Sequence, residues 1–188
     1  MKRILLLLIT LAWAPLINAE AAQEPNLTQE QCYQAFSKFT PQSVIASAKK
    51  AARYLSTAGA AGLERYNSIN EESWPGYPLA PLITVMNCDE DRAMSFPLDE
   101  MRATVTTPGF LKKFVDANKQ HTFVKACAQL KGAKRGVWVL QDHFWLKCDG
   151  VLRMGVLFYK VPGTKWTIQT SLPNQNYSLE ELNQLLKQ

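Results

Sequence analysis

The strongest constraint on the fold lies in the last third of the chain. Gly136 to Leu146, Val151 to Val161 and Thr164 to Thr170 are three strand-like runs. Asp149-Gly150 separates the first two and Pro162-Gly163 the last two. Asp-Gly and Pro-Gly pairs at such short spacing leave room only for tight turns, so the runs form an antiparallel meander. Alternation places Trp138, Leu140, Asp142 and Phe144 on one face, and Val139, Gln141, His143 and Trp145 on the other. On the next strand, Leu152, Met154, Val156 and Phe158 share a face opposite Arg153, Gly155, Leu157 and Tyr159.

The rest of the chain must cover this sheet. Ser43 to about Tyr66 carries Val44, Ala48, Ala51, Ala52, Leu55 and Leu63 at near-helical spacing, behind Thr40 and Pro41 as a start signal. Its small residues suit close packing on a sheet, and Gly59 and Gly62 predict a kink or break. A loop around Trp74, Tyr77 and three prolines follows. Leu82–Met86 and Arg92–Phe96 read as a hairpin. A helical insert is expected from Pro108 to about Leu130, with a polar interruption at Ala117–Thr122. Ser178 and Glu181 have capping-box spacing for a last short helix. The expected class is α+β: five antiparallel strands, a long helix on one face and the insert on the other.

At the other end, Met1-Lys2-Arg3 precedes an apolar run to Pro15, then small residues to Ala22. A basic start, a short apolar run and small residues define a secretory signal cut after Ala19 or Ala21. The run is shorter than the roughly 20 residues a membrane-spanning helix needs. Residues 1–21 are therefore expected to be a signal peptide and residues 22–188 a single periplasmic or secreted domain. Removing Lys2 and Arg3 lowers the net charge from +5 to +3. No block of Lys and Arg has the size of a nucleic-acid footprint, so nucleic acid is not an expected partner.

Cys32, Cys88, Cys127 and Cys148 are an even set in a chain read as exported, which favours disulfides. No two form a CxxC motif, and spacing alone leaves three connectivities open. The acidic run Cys88-Asp89-Glu90-Asp91-Arg92 lacks the alternation of a calcium loop, and no metal or cofactor is expected. No Gly-x-Ser-x-Gly is present, His143 reads as a strand residue with one polar partner, His121 as a solvated one and the cysteines as disulfides rather than nucleophiles, so an enzyme is not expected. An arginine inside a strand has to be paired, solvated or used. Arg153, with Tyr159, Trp166, Trp145 and His143, and with Trp74 and Tyr77 from the loop, makes the candidate ligand-binding set.

The order of elements resembles the single-Cache domain, an extracytoplasmic PAS-like sensor module of bacterial receptors. Residues 83–97, ITVMNCDEDRAMSFP, stand where that family has a V-x-D-x-x-G strand and a return strand ending in His-Pro. Gly136-Val137-Trp138-Val139 is similar to its G-x-W-V strand. Val161-Pro162-Gly163-Thr164-Lys165-Trp166-Thr167-Ile168 is similar to its V-P-G-T-x-W-x-V strand. The likeness covers about residues 43–175. Phe96-Pro97 replaces the His-Pro pair, and Thr170-Ser171-Leu172-Pro173 stands where the family has Gly-Ile-Tyr.

The resemblance implies a PAS-like sheet in a free-standing sensor domain that binds a small organic ligand, or an envelope or receptor protein. The competing expectation is a structural or interaction protein whose pocket is filled by its own side chains. A PAS-like strand order also sets the first strand beside the last. That implies Cys88–Cys127 at one edge and Cys32–Cys148 at the other. The run from Gly136 to Lys147 would separate its ends by about 35–40 Å at about 3.3 Å per residue, which argues against a Cys127–Cys148 bridge.

Overall fold

The computed structural model describes residues 26–75, 77, 81–144 and 148–187. The expected signal segment and Trp145 lie outside these residues. Among the described residues no helix is long and apolar enough to cross a membrane.

Two helices, one short and one long, come first among the described residues. Helix α1 (Gln29–Phe36) is capped by Thr28, and α2 (Pro41–Ala58) by Thr40; each threonine forms a reciprocal capping box with the residue three positions on. Each box satisfies backbone N–H groups that a helix start otherwise leaves unpaired. Helix α2 buries Val44, Ile45, Ala48, Ala51, Ala52 and Leu55. It stops at Gly59, whose φ of 59° suits a residue without a Cβ. The chain continues as a 3-10 helix over Gly59–Tyr66.

The sheet comprises β1 (Thr84–Asn87), β2 (Arg92–Ser95), β3 (Gly136–Phe144), β4 (Val151–Lys160) and β5 (Trp166–Pro173), in the order β2-β1-β5-β4-β3. All neighbours are antiparallel. The last strand thus enters the centre and joins the N-terminal hairpin to the C-terminal meander, with Val85 opposite Ile168. Gly136 permits the closest approach in the meander, because a Cβ there would meet the Phe158 carbonyl oxygen at 2.4 Å. The short helix α6 (Leu179–Leu185) starts at a Ser178–Glu181 capping box. Its Asn183 side-chain oxygen accepts from the Trp138 N–H at 2.9 Å, occupying part of the exposed edge of β3.

Each face of the sheet has its own core. On one, Val85, Trp138, Leu157, Ile168 and Leu172 pack against α2 and α6. On the other, Met86, Val139, Leu152, Met154, Val156 and Phe158 pack with Cys32 and Phe36 of α1 and with the insert. Each fully buried side chain of this size contributes roughly 1.5–3 kcal/mol. Disulfides join Cys32 to Cys148 and Cys88 to Cys127, with Cα atoms 6.1 and 5.6 Å apart.

The insert is broken at the expected polar segment and also carries a helix ahead of Pro108 that was not expected. It forms α3 (Asp99–Val105), α4 (Phe110–Lys113) and α5 (Thr122–Gly132). The gap between α4 and α5 is organised by buried Asp116. Its carboxylate accepts from the Asn118 and Gln120 N–H groups at 3.0 and 2.8 Å and from the Thr122 hydroxyl at 2.8 Å. Such local side-chain bonds compete with the helical ladder and win here.

Candidate functional site

A cavity of about 130 Å³ lies between the second face of the sheet and the insert. All five strands supply its floor: Thr84 and Met86 from β1, Ala93 from β2, Gln141 and His143 from β3, Met154 and Val156 from β4, and Gln169 and Ser171 from β5. The register makes this one surface, since Thr84 lies opposite Gln169, Gln141 opposite Met154 and His143 opposite Leu152. The roof comes from the insert: Met101 and Val105 of α3, Phe110 and Leu111 of α4, Phe114, and Phe123 of α5. Leu82 and Phe96 close one side.

The roof is tied down at several points, among them α3, where Arg102 donates to the Phe96 carbonyl at 2.8 Å. The Leu111 N–H donates to the Asp91 carbonyl at 3.1 Å, and the Ala117 N–H to the Asp142 carbonyl at 2.9 Å. The Cys88–Cys127 bridge links the β1–β2 turn to α5. Phe114 stacks on Phe123, which meets Phe158 edge-on at 5.6 Å. Leu82 and Phe96 also pack on the satellite core of buried Trp74 and Leu98. Trp74 therefore supports the cavity wall from behind.

Most of the lining is aliphatic, aromatic or thioether. Within it, Gln141 and Thr84 are 4% and 3% exposed, and the Gln141 Oε1 and Thr84 Oγ1 atoms have no hydrogen-bond partner. Buried polar atoms are normally paired, because an unmet one costs about 1–3 kcal/mol. None of the described lining residues is Lys, Arg, Asp or Glu. Burial lowers the His143 pKa below the ordinary imidazole value, an effect the nearby Asp116 carboxylate only partly offsets. The imidazole is therefore neutral at pH 7.

The residues singled out from sequence fall into separate places. His143 lines the cavity, 5.9 Å from the Phe114 ring. Trp74 is buried behind the wall, with Tyr77 edge-on at 4.8 Å and half exposed. Arg153 does not reach the cavity. Its neighbours Leu152 and Met154 occupy the cavity side, and its guanidinium lies 4.0 Å from the Asp142 carboxylate, largely in solvent. Tyr159 and Trp166 pack at the margin of the α2 core and line a separate groove with Lys131, Arg135 and Lys165. Of the cavity lining only His143 belongs to the sequence-derived set; the polar residues missing from it are Thr84, Gln141, Gln169 and Ser171. The signal for Gln141 was available: a glutamine between Val139 and His143 on one face of a buried strand.

No protein-family model matches the chain, and no curated protein matches it. Among solved structures it is similar to one described as the periplasmic sensor domain of a chemotaxis protein. That match has 14% identity and a TM-score of 0.52, and covers 76% of this chain and 96% of the other. It is also similar to a methyl-accepting chemotaxis protein from Vibrio parahaemolyticus RIMD 2210633. There the identity is 7%, the TM-score 0.51, and the coverage 77% of this chain and 93% of the other. A third, a Cache chemosensory domain described for carboxylic acid recognition, has 13% identity and a TM-score of 0.47, covering 79% and 100%. Fold and cavity together define an α+β domain with a pocket between a five-stranded antiparallel sheet and a helical insert. More narrowly, the chain shares its fold with the first two of these structures, a periplasmic sensor domain of a chemotaxis protein and a methyl-accepting chemotaxis protein, as the PAS-like expectation had it.

Proposed function

We propose that the protein is an exported, non-enzymatic sensing module of the cell envelope that captures a small molecule between its sheet and its insert. The observation that carries this reading is the cavity itself. It draws residues from all five strands and holds two buried oxygens that the fold leaves without partners. A pocket filled by its own side chains, the competing reading, would leave neither the space nor the unmet oxygens. The basic start and apolar run at the N-terminus support export, and the two disulfides fit an oxidising compartment. Occupancy would reach an envelope or receptor protein by contact, through the position of the insert.

A thermal-shift screen of the purified domain against small organic compounds tests the reading, since a ligand that binds only the folded state raises its melting temperature. A hit should vanish in Ala93→Phe, which fills the cavity floor, while that variant keeps its far-UV circular dichroism. A hit that survives Ala93→Phe places the ligand elsewhere. No hit across the screen favours the structural alternative.

A further inference from the structure

We infer that this cavity selects an uncharged, single-ring-sized apolar molecule bearing one hydrogen-bond donor, a hydroxyl or an amide N–H, and rejects carboxylates. The inference rests on the reading of the cavity as a binding site and adds the chemical class of its occupant.

Size is fixed by the volume. An apolar cavity of roughly 150 Å³ accommodates benzene, and this one has about 130 Å³. Met86, Met154, Val156 and the roof phenylalanines offer dispersion contacts to such a ring and no polar partner. Charge is fixed by the lining. An anion moved here would lose its hydration, and no described lining residue carries a cation to replace it. The arginines of the insert and the hairpin are already committed. Arg102 binds the Phe96 carbonyl at 2.8 Å and the Asp99 carboxylate, and Arg92 binds Glu90 at 2.8 Å. Neutral His143 supplies no positive charge at pH 7 either.

The donor is fixed by the unmet acceptors. Gln141 Oε1 on β3 and Thr84 Oγ1 on β1 are buried oxygens that lack a partner. A ligand hydroxyl or N–H pairing with one of them removes a desolvation cost that the empty protein carries. A hydrocarbon of the same shape leaves that cost in place, and an anion can use only the Thr84 hydroxyl as donor, leaving Gln141 Oε1 unmet and its own charge without a cation.

Matched probes separate these outcomes. Benzamide and benzoate are nearly isosteric and differ in charge and in donors; p-cresol adds a neutral hydroxyl, and toluene has the ring alone. Calorimetric titration at pH 7 should show benzamide or p-cresol binding about tenfold or more tighter than toluene, with no heat from benzoate. A tenfold ratio corresponds to about 1.4 kcal/mol, the scale of one hydrogen bond. Binding of benzoate in preference to benzamide and p-cresol would overturn the ligand class and leave the binding reading standing. Toluene binding as tightly as p-cresol would overturn the donor requirement. Silence from all four would overturn the ligand class and, with an empty thermal-shift screen, the binding reading too. Gln141→Leu and Thr84→Val should each keep toluene affinity, and at least one should reduce the neutral donor's advantage over toluene about tenfold. Two folded variants that leave that advantage untouched would overturn the role of these oxygens.

Discussion

Phe114 lies flat on Phe123, with ring centroids 4.6 Å apart and planes inclined by 11°. The pair forms the part of the roof nearest His143 and is the only stacked pair among the described ring contacts of the insert. Phe114→Ala should lower stability by about 2 kcal/mol, less than a fully buried phenylalanine would cost because Phe114 is only partly buried. Urea titration measures this. An unchanged midpoint would mean that the roof does not depend on this contact.

The pH dependence follows from His143. Burial holds its folded pKa below the value of about 6.5 in the unfolded chain. Below that value the unfolded state takes up the proton first, so stability falls as the pH drops toward the folded pKa. Above it both states are neutral and His143 contributes no slope. Urea midpoints from pH 7.5 to 5 should therefore decline more steeply in the natural protein than in His143→Asn. Parallel curves would remove His143 as the cause.

Arg153 should behave as a surface residue. Its ion pair with Asp142 is long and more than half exposed, a setting in which such pairs contribute about 0–1 kcal/mol. Arg153→Ala should leave the melting temperature within a few degrees of the natural protein and leave binding in the cavity unaltered. Loss of a ligand response in this variant would restore Arg153 as a contact and place the site on the opposite face of the sheet.

Much of the architecture was legible before the structure. Asp-Gly and Pro-Gly turns fixed the meander, and threonine caps followed by small apolar residues fixed α2, because these signals act over a few residues. Helix α3 escaped notice. Leu98 gives it no side-chain cap, and only Val105 of its seven residues is buried. The polar interruption at Ala117–Thr122 was legible, but not the carboxylate that organises it, Asp116, whose burial depends on docking against β3. The same limit applies to the site. Strand alternation identified the face that holds Gln141 and His143 and the opposite face that holds Arg153. Which of the two was left incompletely filled depends on the packing of the insert, a long-range property.

Two chemical predictions concern processing and cross-linking. Intact mass of the exported protein should lack the first 19 to 21 residues; full-length chain recovered in membranes would mean that the apolar run is retained. Non-reducing peptide maps should contain linked Cys32–Cys148 and Cys88–Cys127 peptides. Replacing Cys88 and Cys127 together by alanine should cost roughly 2–4 kcal/mol, read from the denaturation midpoint. A linked Cys127–Cys148 peptide would contradict the strand assignment.

The Cys88–Cys127 bridge also sets how the cavity exchanges its contents. It closes a covalent ring that runs from the β1–β2 turn through β2, α3 and α4 to α5 and back. A ring anchored in this way cannot swing off the sheet like a door. Among the described lining residues Met101 is the exposed one, at 42%, and it marks the rim where the cavity meets solvent. Passage of a molecule in or out is then a matter of side-chain parting at that rim, with the backbone of the sheet unchanged.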